Sequence, residues 1–77
     1  MPRLPRVRAV EVIRALEREG FVLSRTRGSH HIFRHPETVK RVTVPYHATR
    51  VIPPGTVMNI LKQAEISVGE FVELLKG

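Results

Sequence analysis

The chain of 77 residues has no cysteine, no aspartate and only four aromatic side chains outside histidine, three phenylalanines and one tyrosine. Without cysteine, neither a disulfide framework nor a thiolate metal site can staple the fold, and no redox compartment can be read from thiol usage. Without aspartate, a serine–histidine–aspartate relay has no third member, and Glu37 lies in a loop with nothing to make it orient an imidazole. There is also no run of about 18 apolar residues, as a membrane span requires. The opening MPRLPRVRAV lacks the continuous apolar core of an export signal, so a cytoplasmic location with no membrane contact is expected. A chain this short buries only about 60% of the surface its unfolded form exposes, which argues for a single domain over residues 1–77 without a large enclosed cavity. Any chemistry is expected on an open face.

Hydrophobic residues make up 42% of the chain and charged ones 26%, a balance that folds. The net charge of +6 is regional. Residues 1–50 hold eleven Lys and Arg against four Glu, while residues 51–77 hold two against three. A basic region on a small domain is the usual electrostatic footprint of nucleic-acid binding, since neutralising phosphates releases counterions.

Val10, Ile13 and Leu16 recur every three residues among charges and predict an amphipathic helix over Val7–Arg18, closed by Gly20. Phe21–Arg25 reads as a strand, Arg27-Gly28-Ser29 as a turn and His30–His35 as a second strand stopped by Pro36. Arg41–Val44 is a third strand, closed by Pro45, so the three form an antiparallel meander. Val51–Thr56 reads as a loop into a helix carrying Val57, Ile60, Leu61 and Ala64, with Thr56 at or just inside its start. Ser67 and Glu70 have the spacing of a capping box and begin a last helix through Phe71 and Leu74. The fold class is α+β: a three-stranded antiparallel sheet with helices on one face, in the order α-β-β-β-α plus a C-terminal helix.

Three of the four histidines fall in the stretch RTRGSHHIFRHP, Arg25–Pro36. Alternation puts His30, Ile32 and Arg34 on one face of the strand and His31, Phe33 and His35 on the other. Phe33 is the better core candidate, which leaves His30 and Arg34 in solvent; a buried Ile32 would instead expose His31. A zinc site needs about four ligands, and neither cysteine nor aspartate is there to complete a histidine pair, so no metal is expected. Metal-free acid–base chemistry on RNA asks for less. It needs a histidine to move the 2′-hydroxyl proton and cations to hold the phosphate. His30 or His31 could serve as the base, with Arg25, Arg27 and Arg34 as a phosphate clamp; the alternative is a non-catalytic module of the same fold that holds RNA through the same basic residues without cutting it.

The string RTRGSHHIFRHP, followed by VTVPYH and then IPPGTVMNILKQAEIS, resembles the HicA (YcfA-like) toxin family of type II toxin–antitoxin modules. GSH alone is a weak signal, but GSH, VPxH and PxGTxxxILKQ in this order and spacing are specific, and the likeness covers nearly the whole chain. It implies a fold like the double-stranded-RNA-binding domain. It also implies an mRNA interferase that cuts RNA without metal or other cofactor, and a HicB-like antitoxin protein that covers the active site. The family's catalytic histidine carries over to His30, with the adjacent His31 as the alternate. Gly28 and Ser29 match the family's turn, where glycine permits close approach of a phosphate. His47 falls in the VPxH motif with a supporting role, and Lys62 matches the family lysine, facing RNA or simply solvating its helix. Glu65 stands where glycine is common after ILKQA, a departure that bears on the helix end.

Overall fold

In the computed structural model, which describes residues 3–47 and 49–77, the order is α1 (Ala9–Arg18), β1 (Val22–Arg27), β2 (His30–Arg34), β3 (Arg41–Pro45), α2 (Pro54–Ala64) and α3 (Val68–Lys76). Met1, Pro2 and Ala48 lie outside the described residues, so the first two residues of the amino-terminal stretch are not placed. The strands form one antiparallel sheet in the order β1-β2-β3, with α1 and α2 packed over β3 and α1 against α3. This is the α+β layout expected, resembling a double-stranded-RNA-binding domain. Among the described residues no helix is long and apolar enough to cross a membrane.

The helix over the first segment forms, but its buried face differs from the stripe read in the sequence. Ala9, Val12, Ala15 and Leu16 are buried, whereas Val10 is 37% exposed and Ile13 only partly covered. A spacing of three drifts around a helix that turns every 3.6 residues, so the set centred on Val12 and Leu16, with two alanines allowing close approach, faces the sheet. Val7 precedes the helix as extended backbone and is still buried. Ile52 N–H donates to its carbonyl at 2.8 Å, tying the amino-terminal segment to the approach of α2.

Both α1 and α2 end in the same hydrogen-bond pattern. Phe21 N–H donates to Leu16 O at 2.9 Å and Gly20 N–H to Glu17 O at 3.0 Å; Ile66 N–H donates to Leu61 O at 2.9 Å and Glu65 N–H to Lys62 O at 3.2 Å. This pattern requires a left-handed residue at the second-named donor of each pair. Gly20 supplies it at φ +108°, and Glu65 supplies it at φ +57° as the only non-glycine with positive φ among the described residues. α2 begins earlier than its loop reading, at Pro54, because proline's fixed φ and missing N–H suit the first helical position; Thr56 is therefore inside the helix. Ser67 and Glu70 form the expected reciprocal cap of α3, with Glu70 N–H to Ser67 Oγ at 3.1 Å and Ser67 N–H to Glu70 Oε1 at 3.0 Å. Arg18 Nη1 donates to Leu74 O at 2.6 Å, a carbonyl that also accepts from Gly77 N–H at 3.2 Å, so α1 is tied to the last turn of α3.

The core lies between the sheet and the helices and includes Phe21, Phe33, Val42, Val44, Val57, Ile60 and Phe71. Phe33 is 1% exposed, so its face of β2 is the inner one, and the alternative of a buried Ile32 is not what the chain adopts. β1 extends beyond the helical layer, and all six of its residues are exposed.

Candidate functional site

The three clustered histidines have three different fates. His35 sits just after β2 and is structural: its Nε2–H donates to Glu19 O at 3.3 Å, and its Nδ1 accepts from Glu37 N–H at 3.2 Å. Its ring meets Phe21 edge to face at 5.1 Å between centroids. Both nitrogens are engaged, which leaves none for a substrate. His31 points inward beside Thr26 and Val44, with its ring 4.7 Å from that of Tyr46, and its Nδ1 is buried without a hydrogen-bond partner. His30 is exposed at the first position of β2, directly after the Gly28-Ser29 turn. Of the three it alone offers an open imidazole.

Gly28 takes φ +57°, the left-handed conformation that a tight turn needs and glycine adopts without strain. Nothing lies within 4 Å of where a Cβ would stand there, so the turn is open to an approaching ligand. Ser29 O accepts a hydrogen bond from Tyr46 N–H, which fixes the turn to the end of β3. His47, one residue further, is thereby carried to the same corner.

The arginines reach the His30 face through an irregularity in β1. Leu23 pairs with Phe33, but the next pair is Arg25 with Ile32, so Ser24 is an extra, bulged residue. Strict alternation from Leu23 would put Arg25 and Arg27 on the inner face. After the bulge Arg25 lies opposite Ile32 and Arg27 opposite His30, and residues directly opposite share a face. On the other side of β2, Arg34 pairs with Arg41 and Ile32 with Thr43. The result is a shallow depression of about 260 Å³ lined by Ser24, Arg25, Arg27, Ile32, Arg34 and Arg41. Arginine stems cover Ile32, which explains how it is half-buried on the outer face.

Arg41 was not singled out in the sequence, although period two along β3 would have found it: Val42 and Val44 point inward, so Arg41 and Thr43 point out. The two ion pairs among the described residues, Arg8–Glu11 and Glu73–Lys76, involve none of these arginines. Four uncompensated guanidinium groups on one face make a strongly anion-attracting surface. The same described residues contain no cluster of three potential metal ligands. Lys62 is exposed in the last turn of α2, where a cation complements the helix C-terminus, and it lines neither the arginine depression nor the cleft beside it. Its neighbour Gln63 instead accepts from Thr43 N–H at 2.9 Å, closing the open edge of β3.

That cleft, of about 430 Å³, opens on the other side of His30 and is lined by Pro45, His47, Arg50, Val51, Ile52, Pro53 and Thr56. Pro45 is the direct cross-strand neighbour of His30. Arg50, like Arg41, was not picked out by motif. The exposed imidazole thus stands between a basic sheet face and a mostly apolar cleft.

A family model described as the HicA toxin of bacterial toxin–antitoxin matches residues 9–66. The match takes in α1, the whole sheet and α2, and with them the turn, His30, the arginine face and the cleft. No curated protein matches the chain.

Proposed function

Given that the chain belongs to the HicA toxin family of bacterial toxin–antitoxin systems, we propose that it is a metal-independent endoribonuclease acting on mRNA and restrained by a HicB-like antitoxin. The observation that carries the reading is His30, the one open imidazole of the three clustered histidines, at the edge of an arginine face that no ion pair among the described residues compensates. Arg25, Arg27, Arg34 and Arg41 hold the RNA backbone. Gly28 and Ser29 let the phosphate approach the turn, and His47 flanks it from the end of β3.

In this mechanism His30 takes the proton of a ribose 2′-hydroxyl, because an imidazole is the side chain suited to accepting a proton near neutrality. The freed 2′-oxygen bonds to the adjacent phosphorus, the bond from phosphorus to the 5′-oxygen breaks, and the departing oxygen is protonated from solvent. The products are a 2′,3′-cyclic phosphate and a 5′-hydroxyl. Charge accumulates on the non-bridging phosphate oxygens along the way, where the guanidinium groups are already placed to receive it. His31 acts as a positioning residue: packed on Tyr46, it fixes the strand from which His30 projects. An acidic partner surface laid over the arginine face would exclude RNA and suppress the activity.

The test is cleavage of a long single-stranded RNA by wild type, His30→Ala and His31→Ala with EDTA present throughout. His30→Ala is expected to lose about 10²–10⁴-fold in rate, the usual contribution of a general base. It should keep its RNA affinity and thermal stability. His31→Ala is expected to melt earlier and to lose activity in proportion to unfolding. If none of the three cuts RNA while all bind it, the enzyme reading fails and the chain is an RNA-binding module; equal cutting by all three removes His30 and His31 from the chemistry.

A further inference from the structure

The cleft beside His30 is not used by the mechanism above. Its walls are the aliphatic faces of Pro45, Val51 and Pro53, with Ile52 at its base, and its polar groups are only His47, Arg50 and Thr56. A volume of about 430 Å³ lies within the roughly 300–1,000 Å³ typical of small-ligand sites, and a mostly apolar lining with a few polar groups is their usual make-up. Val51 is 50% exposed here, so about half of its surface is left open. The walls are held in place before any ligand arrives. Ile52 N–H bonds to Val7 O at 2.8 Å, Arg8 and Val51 form a strand-like bridge, and Arg50 N–H bonds to His47 O at 2.9 Å.

The position of the cleft decides what it would hold. Side chains directly opposite in an antiparallel pair have Cβ atoms about 4.5–5.5 Å apart, so Pro45 at the mouth of the cleft is in contact range of the His30 ring. A polyanion drawn across the arginine face to His30, and continuing across the sheet in the same direction, lays its next unit over Pro45. That unit meets flat apolar walls and the His47 imidazole, surfaces on which a nucleobase stacks.

We propose, resting on the ribonuclease reading, that this cleft seats one unpaired base next to the phosphate held at His30, so that the substrate class is single-stranded RNA although the fold resembles a duplex binder. A base inside a duplex is stacked on both faces and cannot enter a cleft of this kind. Arg50 holds the backbone of the same nucleotide at the rim, and Thr56 offers a hydroxyl to the base edge.

The experiment uses binding, which is read separately from cleavage. A short single-stranded RNA carrying 2′-O-methyl riboses, which cannot be cut, and the same chain with abasic riboses are titrated into wild type, Val51→Trp and Arg50→Ala at fixed salt. Wild type is expected to prefer the base-bearing chain by about tenfold, a lower-end value for seating one base. Val51→Trp, which fills the cleft, is expected to bind both chains alike, at the wild-type affinity for the abasic one. Arg50→Ala is expected to weaken both and to reduce the salt dependence by about one phosphate contact. A Val51→Trp protein that melts like wild type and keeps the base preference overturns the proposal. The same retained preference with loss of antitoxin binding overturns it too, and makes the cleft a protein contact. If wild type fails to cut RNA in the His30 experiment, the ribonuclease reading falls, while these titrations still decide whether the cleft takes a base.

Discussion

Replacing Glu65 by glycine is expected to make the protein more stable. Glu65 holds φ +57° at the end of α2, where its N–H and that of Ile66 satisfy carbonyls of the last helical turn. A residue with a Cβ in this conformation costs about 1–2 kcal/mol relative to the right-handed region. Glycine removes that strain but gives up about 0.5–1 kcal/mol through the greater freedom of its unfolded chain. The net gain is about 0.5–1 kcal/mol, which for a domain of this size raises Tm by about 2–8 °C. A smaller contribution of about 0.3 kcal/mol comes from removing a negative charge from the negative end of the helix. Glu65→Gln separates the two terms, since it discharges the side chain and keeps the Cβ, and it should gain only the smaller one. The assay is urea and thermal unfolding of the three proteins by circular dichroism. A Glu65→Gly protein no more stable than Glu65→Gln, with an unchanged urea slope, would refute the strain argument.

The matching position of α1 gives the converse prediction. Gly20→Ala combines φ +108° with a Cβ placed 2.9 Å from His35 Nε2, so it should lose about 1–3 kcal/mol in urea unfolding; wild-type stability would mean that the His35 ring swings aside freely. Glu70 supplies a pH dependence. Its carboxyl is held below its ordinary 4.5, first by the Ser67 backbone N–H and then by the Ser67 side chain, so its contribution to stability is present above that ordinary value and lost as pH falls through the lower folded-state value. The Tm gap between wild type and Glu70→Ala should therefore close in the acid range, and a gap constant with pH would contradict the cap. For RNA binding, four arginines on the sheet face predict a slope of log affinity against log salt of about −3, at roughly 0.7 per phosphate for a single strand. A slope near zero would remove the arginine face from binding.

Much of the architecture was legible because its signals are local. Helix punctuation by Gly20 and Ser67, β-branched runs closed by proline, and the order of the three family motifs each act within a few residues of where they are read. The pattern failed where a periodic signal had to be referred to something distant. Val10 and Ile13 have helical spacing, yet which side of α1 is buried depends on where β3 and α3 lie. In sequence Thr56 stands at the border of its helix because two prolines in succession look like a loop, and only the tertiary path shows Pro54 as the first helical residue.

The sequence by itself determined that this is a small basic α+β domain with His30 beside an open glycine turn, since composition, propensity and alternation are properties of short segments. The tertiary structure alone decided how the chemistry is assembled. It spent His35 on bonds to Glu19 and Glu37 and turned His31 against Tyr46. It also used one extra residue, Ser24, to turn Arg25 and Arg27 onto the face of His30. A bulge is a mismatch in length between two paired strands, so it exists only once the partner strand is in place; no reading of β1 alone would show it.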